Sequence, residues 1–285
     1  MNSVQPTTHC IPQISGHTRL FFVVGRPVLQ IKAPAAFNGP LQGAATNTVV
    51  VPLDLPPETV AQTCRLLLQS PSVGGILVTV PYKKLLFGLA DECGAAARVV
   101  GAVNALRRSA EGRIIGDLFD GAGFLSGLLA AGHRPEGQRV LILGAGGAGC
   151  AIAAALADAG IASLGIYDPR VEQAEALVQQ LRSHYPGLSA QAVASPKMPC
   201  DIVINATPLG MHEDDPLPIE PALLAPGALV VDVIMEPAVT PLLRRAAELG
   251  LPTHPGRPML DHQLPAYLDF FDLPEAARLA RAALA

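Results

Sequence analysis

Charge is scarce in this sequence: 15% of its 285 residues are charged, and the formal net charge is −4. Holding a nucleic-acid backbone takes a clustered basic surface that displaces counterions. This composition supplies none, so no nucleic-acid partner is expected. Cysteine is equally thin. Cys10, Cys64, Cys93, Cys150 and Cys200 are odd in number and scattered, with no C-x-x-C pair and no histidine at metal-ligand spacing. Reduced, mostly buried thiols are expected, without a disulfide framework or a metal site.

The N-terminal stretch has neither the basic start nor the unbroken apolar run of a secretory signal, which makes the cytoplasm the expected compartment. The longest uncharged run, residues 140–157, approaches a thin membrane span in length. Four glycines in six residues near its start fit a strand, a tight turn and a buried helix instead. No membrane association is expected. Internal repeats are missing too, and proline and glycine are dispersed, not gathered in a disordered linker.

Hydrophobic residues make up half of the chain, enough to bury a sizeable core in one large domain or two ordinary ones. In the first part, short apolar runs ("LFFVVG", "TNTVVVPLDL", "GGILVTVPY") alternate with segments of helical pattern, "PPETVAQTCRLLLQS" and residues 83–101. That alternation implies βαβ units, a mostly parallel sheet and an α/β fold. A second series begins at Arg139 with "RVLILG", and its strands are the continuous apolar runs that a sheet covered on both faces requires. The hinge between the two is expected near the glycine-dense "GDLFDGAGFLSGLLAAGHRPEGQ", with a linking helix, and the tail from "HQLPAYLDFF" onward reads as helical.

After "RVLIL" come Gly144, Ala145, Gly146, Gly147, Ala148 and Gly149, placing Gly144, Gly146 and Gly149 in G-x-G-x-x-G spacing between a strand and a helix. The first glycine permits the tight turn, the second lets backbone N–H groups approach a pyrophosphate, and the third lets helix and strand pack closely. The next strand ends at Asp168, about 20 residues downstream, where a carboxylate accepts hydrogen bonds from an adenosine ribose. Such a carboxylate repels a 2′-phosphate, so NAD is expected over NADP. Arg170 is the reservation, because a guanidinium there would pair with that phosphate. Asp168 also reads as a cap for the helix that follows, a role compatible with the first.

Hydride transfer at an alcohol carbon also needs a group that takes or gives the hydroxyl proton. "VTVPYKK" sets Thr79 and Lys83 just beyond an apolar strand, and "GDLFDGAGF" sets Asp120 before the hinge glycines. A Lys–Asp pair in a cleft would share a proton there, although either residue alone reads more readily as a surface charge.

The ordered series "VTVPYK", "GAVNAL", "GDLFDGAGF", the glycine-rich turn, "DIVINATPLGM" and "GRPMLDHQ" resembles the shikimate dehydrogenase family from about Val23 to the end. The resemblance implies a catalytic pair at Lys83 and Asp120, substrate contacts from Asn104, Thr79 and Gln263, and cofactor contacts that include Thr207 and Met259. It also implies the architecture: a substrate domain from 1–121 with 256–285, a Rossmann domain over 122–255, and a C-terminal helix that packs back on the first. The implied activity is an NAD-dependent dehydrogenase acting on a secondary alcohol of a cyclic polyol, with shikimate or quinate as nominal substrate and a monomer or homodimer as the assembly. A non-catalytic NAD-binding regulatory module is the alternative of a different class, and a folate-type dehydrogenase fits the motifs less well.

Departures from the family pattern share one direction. Its first motif, G-x-P-I-x-H-S-x-S-P-x-x-H-N, carries two serines that hydrogen-bond the shikimate carboxylate, and here those positions are Ile31 and Ala33. Leu77 replaces an Asn, Leu118 and Phe119 replace Asn-Thr, and Pro258 replaces a usual Gly. Losing two hydrogen bonds to a carboxylate costs about 1.5–3 kcal/mol each unless something replaces them. Lys32 is either a substitute anion contact or a solvated loop lysine.

Overall fold

A computed structural model describes residues 14–284, and Cys10 lies outside them. The first part of the chain runs β1 (Arg19–Gly25), α1 (Ala33–Gly43), β2 (Thr48–Asp54), α2 (Val60–Gln69) and β3 (Val73–Val78). After a 3-10 turn at Leu85–Leu89 come β4 (Glu92–Cys93), α3 (Ala95–Val100), β5 (Ala105–Arg108) and β6 (Ile114–Asp117). These strands form one sheet in the order β2-β1-β3-β5-β6-β4. Pairing is parallel from β2 through β1 to β3 and between β4 and β6, whereas β5 runs antiparallel to both neighbours. A short turn joins β5 to β6, and so short a connection forces an antiparallel pair.

Residues 83–101 do not form the single helix their pattern suggests. The Asp91 N–H donates to the Ile114 carbonyl and the Gly94 N–H to the Gly116 carbonyl. Those edge bonds draw the middle of the segment into the sheet as β4, so tertiary pairing overrides local helical preference.

Helix α4 (Asp120–Ala130) leads into β7 (Arg139–Leu143), α5 (Gly147–Asp158), β8 (Ser163–Tyr167), α6 (Val171–His184) and β9 (Ser189–Ala192). Then follow β10 (Ile202–Asn205), β11 (Leu229–Asp232), α7 (Pro241–Glu248) and β12 (Thr253–His254). The second sheet has the order β12-β11-β10-β7-β8-β9 with every pair parallel. That is the doubly wound Rossmann order, whose direction reverses between β7 and β10 and opens a crevice at the strands' carboxyl ends. Its central strands are enclosed: Val140, Leu141, Ile142, Leu143, Val203 and Ile204 have no exposed surface. This explains why they read as unbroken apolar runs.

The tail forms α8 (Arg257–Phe270) and α9 (Pro274–Ala282), broken at Asp272, which takes φ +57°. Leu264, Leu268, Phe271 and Ala277 pack in one cluster with Phe21, Val23, Phe37 and Leu41 of the first sheet's layer, and the Phe21 and Phe271 rings meet edge to face at 4.9 Å. The C-terminal helices thus return to the first sheet. Helix α4 touches both halves, because Gly121 lets it press against the Ala151 carbonyl of α5 and Gly123 lets it press against Met259 and Gln263 of α8. Cys64, Cys150 and Cys200 are buried free thiols, and Cys93 is half-buried. Among the described residues no helix is long and apolar enough to cross a membrane, and no cluster of side chains could hold a metal ion.

Candidate active site

The carboxyl ends of β1 and β3 face those of the second sheet across a cavity of about 310 Å³. Lys83 and Asp120 meet in it, Nζ to Oδ2, at 2.5 Å. Backbone ties place the lysine: the Thr79 N–H donates to Val24, the Arg26 N–H to Val80 and the Val103 N–H to Lys83 itself, pinning the segment after β3 between β1 and β5. The Tyr82 hydroxyl donates to the Leu55 carbonyl at 2.5 Å and anchors the same segment from below. Asp120 opens α4, where the helix dipole favours a carboxylate. Their side chains are 18% and 9% exposed, so the pair is largely shielded yet reachable from the cavity.

Thr79, Gln263, Ile31 and Ala33 all line the cavity. Asn104 does not. It lies fully buried behind the wall, where its Oδ1 accepts from the Phe119 N–H at 3.0 Å and so fixes the residue before Asp120. Its Nδ2, and the Oε1 of Gln263, are buried without a hydrogen-bond partner. Unsatisfied buried amides are costly.

Lys32 is a solvent-exposed lysine, with half of its side chain accessible, that carries a surface ion pair. Standing just before α1, it pairs with Glu236 at 2.8 Å across the cavity mouth. Glu236 sits on the β11–α7 loop, which a buried network holds in place: Asp232 accepts from Thr240 Oγ1, from Asn205 Nδ2 and from the Ile234 N–H. Burial pushes the Asp232 carboxyl above its usual range, although those donors oppose the shift. Sequence reasoning missed Met235 on this loop and Tyr267 on α8, both of which line the cavity. Tyr267 carried a signal, since four residues after Gln263 in a helical segment is the same face.

The glycine turn matches its expected logic. Gly144 takes φ +100° with no room for a side chain beside the Ala206 carbonyl, and a Cβ on Gly149 would overlap the carbonyl of Gly144. Gly146 and Gly147 instead face open space, where a Cβ would meet nothing. Gly146 caps α5 without any side-chain cap, so the first N–H groups of the helix are left for a ligand. A dinucleotide pyrophosphate fits that cradle. Ala148 and Met259 reach the cavity beside it, and Thr207 lies against Gly144 with its hydroxyl donated to Asn205 Oδ1 at 2.6 Å.

Asp168 is held by its own turn. It is 4% exposed; Oδ2 accepts from the Ala145 N–H at 2.8 Å, and Oδ1 from the backbone and Nε of Arg170. Burial raises its pKa, but those donors win and hold it below the usual carboxylate range. The carboxylate is turned onto the turn, and Arg170, with 64% of its side chain exposed, is the group presented at the rim.

Comparison with known proteins agrees with this geometry. Residues 23–106 match the shikimate dehydrogenase substrate binding domain. A shikimate dehydrogenase (NADP(+)) of Rubrobacter xylanophilus is 38% identical over 259 residues, covering 89% of this chain and 90% of that protein. The structure of a Listeria monocytogenes shikimate 5-dehydrogenase with shikimate and NAD superposes with a TM-score of 0.84 at 27% identity, over 96% of this chain and 98% of that one. A ligand-free 5-ketofructose reductase of Gluconobacter sp. strain CHM43 superposes at 0.81 with 28% identity, over 94% and 100%. The chain belongs to the shikimate dehydrogenase family.

Proposed function

We propose that this protein is a nicotinamide-dependent dehydrogenase that interconverts a secondary alcohol and a ketone on a shikimate-like polyol. The observation that carries the reading is the shielded Lys83–Asp120 contact at 2.5 Å in the cavity that adjoins the uncapped start of α5. When bound, the nicotinamide supplies the hydride acceptor or donor. The chain's residues handle the proton: Lys83 takes it from the hydroxyl during oxidation and returns it to the carbonyl oxygen during reduction. Asp120 orients the lysine and accepts from the substrate hydroxyl, Asn104 holds the approach to Asp120, and Thr79 and Gln263 orient the ring. Residues 1–121 with 256–285 form the substrate part in this reading, and 122–255 the dinucleotide part.

Gly144, Ala145, Gly146, Gly147, Ala148 and Gly149 would cradle the pyrophosphate, flanked by Thr207 and Met259. The sequence favours NAD because Asp168 is positioned to repel a 2′-phosphate. The folded geometry supports NADP instead: Asp168 is committed to its own turn, and Arg170 offers its outer nitrogens to a phosphate. Both cofactors occur among the relatives, since the Rubrobacter protein is named for NADP(+) and the Listeria structure holds NAD. The test is the formation of reduced nicotinamide by purified protein given cyclic polyols with each cofactor. Absence of turnover throughout would remove the reading.

A further inference from the structure

The charges around the cavity restrict what its substrate can carry, an argument that rests on the dehydrogenase reading above. Among the described residues lining it, the cations are Lys32 and Lys83: Lys83 is held by Asp120 at 2.5 Å in a shielded pair, and Lys32 stands at the mouth, where it meets Glu236 at 2.8 Å with both side chains largely in solvent. No arginine lines it, and the remaining polar side chains, Gln30, Thr79, Gln263 and Tyr267, are uncharged hydrogen-bonding groups. The wall beside α1 is apolar, built from Val23, Ile31, Ala33, Phe37 and Leu77 packed into one cluster. A carboxylate set against that wall would lose its water with no hydroxyl array there to replace it, Asp120 would repel it, and Lys32 lies out at the solvent-exposed mouth. Hydroxyls and a carbonyl meet the opposite fate, because the uncharged polar side chains lining the cavity, Gln30, Thr79, Gln263 and Tyr267, both donate to and accept from them.

We propose that the substrate is an uncharged polyol or hydroxyketone whose face toward Ile31, Ala33 and Phe37 is apolar, and that carboxylate-bearing rings are poor substrates.

Shikimate and its methyl ester share every ring hydroxyl and differ in charge, so the ratio of their kcat/KM values with NADP isolates the claim. The ester is expected to exceed the acid by about tenfold or more. A ratio at or below one overturns the inference and leaves the dehydrogenase reading standing, whereas no turnover of any neutral or acidic polyol with either cofactor overturns both. Two variants sharpen the result: Ile31→Ser with Ala33→Ser adds hydroxyls to the wall, and Glu236→Gln releases Lys32. Each should move the ester-to-acid ratio toward the acid by about tenfold. Unmoved ratios in folded variants contradict the proposal.

Discussion

Lys83 Nζ and Asp120 Oδ2 lie 2.5 Å apart although 37 positions separate them, because β3 ends where α4 begins. The lysine follows a strand of the first sheet, and the aspartate opens the helix that packs against both α5 and α8.

Replacing Lys83 with Ala should lower kcat by about 10²–10⁴-fold, the usual contribution of a positioned acid–base group. Dinucleotide affinity should stay near that of the parent, since the lysine is remote in sequence and role from the glycine cradle. Stopped turnover and a fluorescence titration of reduced cofactor check both halves.

Arg170→Ala should raise the KM for NADP by about 10–100-fold, the worth of one or two charge-assisted hydrogen bonds, with little effect on NAD. A matched loss for both cofactors would place Arg170 in structure and not in phosphate recognition.

Gly149→Ala pushes a methyl group into the Gly144 carbonyl. Overpacking of that kind costs about 1–3 kcal/mol. Thermal unfolding should show the loss, and dinucleotide binding should weaken with it, because helix and turn separate at the point where the pyrophosphate sits.

His254 is 4% exposed, and burial, with His133 and His262 nearby, lowers its pKa from 6.5 to about 4. The unfolded chain therefore binds a proton that the folded chain refuses between those values. Stability is full above pH 6.5 and falls as pH drops toward 4, by an amount on the order of 2 kcal/mol. Denaturant midpoints measured across that window should decline, and His254→Asn should flatten the slope.

The glycine turn was legible in the sequence because it rests on a local rule, a turn that tolerates no side chain, whereas the Lys83–Asp120 pair was legible through the ordered motifs of the family resemblance. Residues 83–101 were not, since their helical pattern yields to backbone bonds made with Gly116 and Ile114 on a strand formed later in the chain. Nor was the fate of Lys32. Its partner, Glu236, belongs to the other sheet, and nothing local announces an ion pair that only the folded cleft assembles. Asp168 shows a subtler limit. Its position was readable, yet its bond to the Ala145 N–H comes from a turn 23 residues away.

The most direct test of the account is the initial rate of nicotinamide reduction by the purified parent and by Lys83→Ala, with a panel of neutral and acidic cyclic polyols and with NADP and NAD in parallel. The account predicts turnover of at least one polyol by the parent, faster with NADP, and its collapse in the variant while cofactor binding persists. Turnover that survives the loss of Lys83, or a parent that binds the dinucleotide and oxidises nothing, would contradict it.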